Sequence, residues 1–457
     1  MSARTTTLPK RYHEAVLRWK DVFIPDYDFL IENWDKHFPN DQTFELCAYR
    51  EMGMCSEVEC GELKGKPKAL KASELQPEAA HHLFGAIRAQ ASTEFGSIQQ
   101  HRLTLARAQE EEEQFWILRM MAEELRHGYQ MLHLLADDDW SVASKDSTAD
   151  VIDDILSMNT GSHVLGAFNI DFDSFVDNVV FCGLIDRVGK YQLQMQKISA
   201  YKPMAESMPQ MLREEAFHLA AGVVPMRRWA TAAAKGETFV TMEVLQKTLN
   251  KWIPRGLEMF GDERGGGSNV KMGLKPMKNA EAQQAYFKEV EKLVRDLNLR
   301  YLRARVENLN HGDSESHLDR ILAGETVEGV RREDLLVMPH PDFFRRRGVP
   351  AFKKVGFNGE VFNTLPEYIH HLVRSLPESY LAGRDYKDYV EALAQIEQGT
   401  LTLEAATGRM PALRRVAGAC PCSKSVRWVV DEPATVLAGA PGSVASVSTV
   451  GEPMSVA

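Results

Sequence analysis

From about residue 78 to residue 233 the chain repeats apolar positions at intervals of three and four, which is the period of amphipathic α-helices. The pattern predicts helices over about 78–107, 109–136, 172–201 and 208–233, with Pro203 and Pro209 marking the break before the last one and Pro225 kinking it. Glu110 to Glu113 open the second helix, where the positive end of the helix dipole favours carboxylates. The connection from Asp137 to Ser162 is longer than a hairpin and has room for a short helix of its own. Helical patterns return at 239–260 and 279–309. Between them, Arg264-Gly265-Gly266-Gly267-Ser268 lacks the Lys-Ser/Thr of a phosphate-binding loop and reads as a flexible link. Residues 10–75 mix short helical and loop patterns around turn signals such as Pro25-Asp26 and Pro39-Asn40-Asp41. Beyond 315 the pattern shifts to short segments punctuated by Pro339, Pro341 and Pro350, with a helical piece at 364–397. The expected organisation is an N-terminal cap (1–77), a helical bundle (78–310), a mixed C-terminal extension (311–432) and a disordered tail (433–457) rich in Gly, Ser, Ala and Val.

The apolar stripes are interrupted by the same residue types in both halves of the bundle. On the second helix the inward face reads Ile117, Met120, Met121, Glu124, His127, Met131, Leu135, and on the fourth it reads Met208, Met211, Leu212, Glu215, His218, Leu219. Glu94 falls between Ile87, Ala91 and Ile98, and Asp186 between Val179, Cys182, Gly189 and Leu193. The spacing repeats as well. Glu94 precedes Glu124 by 30 residues (94 to 124), and Asp186 precedes Glu215 by 29 (186 to 215), so each half reads as two helices joined by a turn.

A Glu and a His three residues apart share one helix face and can serve the same metal pair. Four carboxylates and two imidazoles projecting into a four-helix core form the ligand set of di-iron carboxylate proteins. The alternative is a salt-bridged core, since buried charges cost several kcal/mol each unless paired or metal-bound. The cation in phase with these residues and within a turn of one of them is Lys190, four after Asp186, and one lysine cannot balance four carboxylates. Asp171, Asp173 and Asp177 lie near Asp186, but helix phase favours Asp186, which mirrors the position of Glu94. The candidate metal ligands are therefore Glu94, Glu124, His127, Asp186, Glu215 and His218.

Three further residues stand close to this set. Glu123 lies four residues before His127 and Glu214 four before His218, so each is expected to accept a hydrogen bond from the far nitrogen of the histidine on its own helix. Solvent-facing glutamates are the other reading of both. Gln90, one turn before Glu94, reads as a glutamine at the core edge, with a hydrogen bond to a substrate carbonyl as the alternative.

Composition narrows the class. The 457 residues are 44% hydrophobic and 26% charged, as in ordinary globular proteins, and a formal charge of −10 argues against a general nucleic-acid binder. No apolar run reaches the length of a membrane span, and the start Met1-Ser2-Ala3-Arg4 has no signal-peptide core, so a cytoplasmic protein is expected. Cys47, Cys55, Cys60, Cys182, Cys420 and Cys422 do not form a metal or disulfide framework and read as free thiols. The basic run Phe343-Phe344-Arg345-Arg346-Arg347-Gly348 with Lys353-Lys354 reads as a solvated loop, with phosphate binding as the alternative.

Three segments carry a family resemblance. Leu165-Gly166-Ala167-Phe168-Asn169, then Asp186-Arg187 with Gly189-Lys190 and Gln192-Leu193, then Glu214-Glu215-Ala216-Phe217-His218 together resemble the oxygenase component of benzoyl-CoA 2,3-epoxidase and, more distantly, the catalytic subunit of phenylacetyl-CoA epoxidase. The resemblance covers about residues 80–270 and includes Asp186 in place of a fourth glutamate. It implies a mostly α fold, a ferritin-like four-helix bundle with N- and C-terminal extensions, and two iron ions held by the six candidate ligands. It also implies a monooxygenase that uses O2 to epoxidise the ring of an aromatic acyl-CoA-type substrate. Electrons would come from a separate NAD(P)H-dependent reductase, because this chain has no dinucleotide-binding fingerprint and no ferredoxin-type cysteine run. The alternatives are a di-iron N-oxygenase or desaturase on another substrate, and a non-catalytic ferritin-like iron-binding protein.

Overall fold

The computed structural model describes residues 3–261, 267–306 and 309–338, with short pieces at 354–355, 361–362, 395 and 398–401. Nearly all of the expected helix at 364–397, the basic run from Phe343 to Lys353, the glycines Gly265 and Gly266, Cys420, Cys422 and the expected tail lie outside the described residues.

The chain opens with β1 (Ala3–Thr6), which pairs antiparallel with β2 (Ala48–Glu51). Between these strands lie α1 (Lys10–Phe23), α2 (Tyr27–Glu32) and α3 (Trp34–His37). Then follow α4 (Pro77–Arg102), α5 (Glu111–Ala136), α6 (Thr148–Ser157), α7 (Phe175–Gln196), α8 (Lys202–Lys235), α9 (Met242–Met259), α10 (Ser268–Lys271), α11 (Asn279–Arg305) and α12 (His311–Leu322). The fold is mostly α, and its centre is a ferritin-like four-helix bundle in which α4 lies along α5, α7 along α8, and α5 against α8. No helix among the described residues is long and apolar enough to cross a membrane.

Local chemistry sets the ends of the bundle helices, and in two places it differs from the expectation. α7 starts at Phe175 rather than near 172, because Ser174 and Asp177 form a reciprocal capping box at its first turn. Asp177 Oδ2 accepts the backbone N–H of Asp173 at 2.6 Å and Oδ1 accepts the indole N–H of Trp252 at 2.6 Å. α8 starts at Lys202, not at 208, so the prolines do not break it. Pro203 occupies the first turn, whose N–H groups have no helical partner to lose. Pro209 and Pro225 lie inside the helix, and the bonds they delete are offset by burial of Met204, Met208, Met211, Met226 and Trp229 against the bundle. Gly236, at φ 70°, ends the helix in the left-handed conformation.

Two close approaches bring the interrupted stripes together. A Cβ on Gly222 of α8 would lie 2.2 Å from the backbone nitrogen of Gly183 on α7, so these helices meet backbone to backbone one turn from His218 and Asp186. A Cβ on Gly128 of α5 would lie 3.0 Å from the ring of Phe95 on α4, the neighbour of Glu94. Trp19 of α1 packs edge-on against the same Phe95 ring, centroids 4.8 Å apart, so α1 braces the helix that carries Glu94. Outside the bundle, α9 packs on α7 and α11 on α8. Lys251 of α9 is buried and donates to the Asp171 carbonyl and to Asp173 at the entry to α7. The expected boundary at 310 falls between α11 and α12, which share an apolar cluster through Leu302, Leu318 and Ile321.

Candidate metal centre

The bundle gathers the six candidate residues in its interior, and all of them are buried. One donor atom from each of Glu94, Glu124 and His127 lies within 4.8 Å of the others, and the same holds for Glu124, Asp186 and His218. Glu124 belongs to both groups and so stands between them. Glu215 lies at the edge, with Oε2 3.7 Å from Nδ1 of His218. Asp177 is occupied by the capping and indole bonds described above. Lys190 is not a counter-ion of the cluster, because its ammonium turns outward to both carboxylate oxygens of Glu289 on α11, 2.8 Å from each.

Both histidines turn Nδ1 towards the cluster and Nε2 away from it. The partner of each Nε2 is a glutamate on the other helix: His127 meets Glu214 at 2.8 Å, and His218 meets Glu123 at 3.1 Å. This corrects the expected pairing of Glu123 with His127 and of Glu214 with His218. Each imidazole aims Nδ1 at the cluster carboxylates, which carries its Nε2 across to the facing helix, and the position one turn before each glutamate is filled by another donor. Accordingly Arg119, four residues earlier, donates to Glu123 at 3.0 Å, and Gln210, four residues earlier, donates to Glu214. Arg126 also donates to Glu214. Arg119 lies in turn over the ring of Phe217, 3.9 Å from its centroid, and pairs with Asp41 at 2.6 Å.

Crowding sets the protonation of the set without metal. Burial pushes Glu94 and Asp186 well above the usual carboxylate range, and the nearby Glu124 and Glu215 push them further. Burial also raises Glu215, to about 7. Burial opposes ionisation of Glu124 too, but the nearby Glu94, His127 and His218 outweigh it and hold this carboxyl well below its ordinary range. Burial would lower His127, yet Glu124 and Glu214 raise it to about 9. Glu214 is lowered to about 2 despite burial, chiefly by its bond to His127 and by the charge of Arg126.

A cavity of about 220 Å³ opens on this cluster. Glu94, Glu124, Asp186 and Glu215 form its floor, and its walls include Leu165, Phe168 and Ile185. Gln90 also lines it and donates to Glu94 Oε1 at 3.2 Å. The amide nitrogen thus has a carboxylate partner within the protein.

A model of the phenylacetic acid catabolic protein family matches residues 69–334, more than half of the chain. The chain belongs to this family. It is a family of ferritin-like di-iron oxygenases of aromatic catabolism, in line with the bundle and its buried Glu, Asp and His cluster. A search of the curated proteins finds no match.

The donor set fits the metal pair of such a family member. Glu124 Oε2, His127 Nδ1, Asp186 Oδ2, Glu215 Oε2 and His218 Nδ1 are buried with no hydrogen-bond partner among the described residues. Five orphaned donors from three helices, three of them on residues that line one cavity, would be costly without a cation. Oxygen and imidazole ligands suit iron. Sequence reasoning missed Arg119, Arg126 and Gln210, the residues that hold the two outer glutamates. A signal existed for two of them: Arg119 and Gln210 each precede a glutamate by four residues, the spacing at which helix side chains meet.

Proposed function

We propose that this chain is the oxygenase component of an aromatic acyl-CoA monooxygenase, with two irons held by Glu94, Glu124, His127, Asp186, Glu215 and His218. The reaction adds one atom of O2 to a ring double bond as an epoxide and releases the other as water, using two protons and two electrons from a separate NAD(P)H-dependent reductase. The observation that carries this reading is the cavity. The carboxylates of the cluster line it together with Leu165, Phe168 and Ile185, which suits a hydrophobic ring held beside the oxidising centre. The narrower likeness to benzoyl-CoA 2,3-epoxidase, carried by the segments around Asn169, Asp186 and Glu215, supports a benzoyl-type thioester as substrate.

Bound iron would supply the activation of dioxygen. The chain's own residues do the rest. Glu214 and Glu123 hold the two imidazoles with Nδ1 facing the cluster, so both rings present a fixed lone pair once their protons leave. Arg119 and Arg126 balance those outer carboxylates. Leu165, Phe168 and Ile185 keep water from the ring-binding end of the cavity.

The test is turnover of the iron-loaded protein with a reductase and NADPH under 18O2, offering benzoyl-CoA, other acyl-CoA thioesters, amines and acyl-carrier substrates. The expected product is an acyl-CoA heavier by one labelled oxygen. Oxidation confined to an amine, or loss of two hydrogens without oxygen gain, would replace the epoxidase reading by an N-oxygenase or a desaturase. A growing mineral core would replace it by iron storage.

A further inference from the structure

Glu215 stands apart from the other five residues of the cluster. It belongs to neither three-donor group, and its carboxylate lies against Gly189 of α7, one turn after Asp186. A Cβ on Gly189 would be 2.9 Å from Glu215 Oε1, 3.5 Å from Cδ and 3.7 Å from Oε2. Nothing in the backbone calls for glycine here, because residue 189 sits in the interior of a regular helix where glycine is unfavourable relative to alanine. What the missing side chain provides is space, and Gly189 and Glu215 both border the cavity.

We propose that Gly189 is a positioning residue: its absent side chain is the recess that holds the Glu215 carboxylate in place beside the donors of the cluster. The inference rests on the iron-site reading above. The atom nearest to the added Cβ is the tip of a flexible side chain, so a methyl group at 189 displaces the carboxylate without separating the helices. Its effect therefore falls on metal binding and not on the fold.

The experiment is ferrous-ion titration of metal-free parent protein, Gly189→Ala, Glu215→Asp and the double variant, without substrate or reductase, alongside thermal melts of the metal-free forms. Gly189→Ala is expected to melt close to the parent and to bind at least one ion about tenfold or more weakly, within the range seen when a ligand loses its support. Glu215→Asp, one methylene shorter, is expected to weaken binding in the parent but to strengthen it in the Gly189→Ala background. Unchanged affinity in Gly189→Ala, or strictly additive losses, overturns the role of Gly189 while leaving the iron site in place. A parent that takes up no iron fails the proposed function itself. Should Gly189→Ala not fold, folding of the double variant upholds the contact with Glu215, and failure of both overturns it.

Discussion

Nε2 of His127 on α5 lies 2.8 Å from the carboxylate of Glu214 on α8, while Nε2 of His218 on α8 lies 3.1 Å from Glu123 on α5. Each half of the bundle thus orients the histidine of the other half. Neither imidazole is set correctly until α5 and α8 have docked, so formation of the centre is coupled to closure of the bundle.

The crossed pairing makes the two outer glutamates separable. Glu214→Gln should loosen the ion bound near His127, and Glu123→Gln the ion bound near His218, each by about 10–100-fold in affinity with little change in fold. Double-mutant cycles on ferrous binding should show coupling of Glu214 with His127 and of Glu123 with His218. Coupling of Glu123 with His127 instead would mean that the within-helix pairing prevails in solution.

Glu124 is the donor shared by both three-residue groups, whereas Glu94 and Asp186 each belong to one. Glu124→Ala should therefore abolish binding of both ions, and Glu94→Ala or Asp186→Ala should spare about one of the two that a two-metal site holds. Metal analysis after desalting reads the difference. A Glu124→Ala protein that keeps both irons would remove this residue from the centre.

Protonation of the metal-free centre should be visible in its stability. His127 is raised from 6.5 to about 9, so its contribution is complete below pH 6.5 and is lost as pH rises through 9; the raised His218 acts in the same direction. Burial lowers His101 to about 3 and His163 to about 4, so their contributions are complete above pH 6.5 and are lost only on acidification. The window between pH 6.5 and 9 therefore isolates the centre. There the metal-free protein should melt at progressively lower temperature, while ferrous affinity rises because the imidazole protons no longer compete. A melting temperature that stays flat or climbs across this window would contradict the assignment.

Gly222 offers a packing test away from the ligands. Its Cβ would stand 2.2 Å from Gly183 N and 2.6 Å from Gly183 Cα, and backbone cannot rotate aside as a side chain can. Gly222→Ala should cost about 2–3 kcal/mol in denaturant unfolding by forcing α7 and α8 apart. Ferrous affinity should fall with it, since Asp186 and His218 separate together. Unaltered stability would show that the helices have slack at this crossing.

The sequence by itself determined the helical bundle and the identity of its polar interruptions. Helical periodicity is local, so a glutamate or histidine in an apolar stripe is conspicuous from spacing alone, and the near-equal intervals from Glu94 to Glu124 and from Asp186 to Glu215 express the repeated helix pair. Local rules were less reliable where long-range burial outweighs them. Pro209 reads as a helix break, yet α8 runs through it because the flanking methionines are buried against the bundle. The partners of Glu123 and Glu214, the outward turn of Lys190 to Glu289, and the recess at Gly189 were decided by tertiary structure alone. Each depends on which side chain of a second helix arrives opposite, and that is fixed by the backbone approach of α7 to α8 and the docking of α5 on α8, neither of which has a signature in the spacing of one helix.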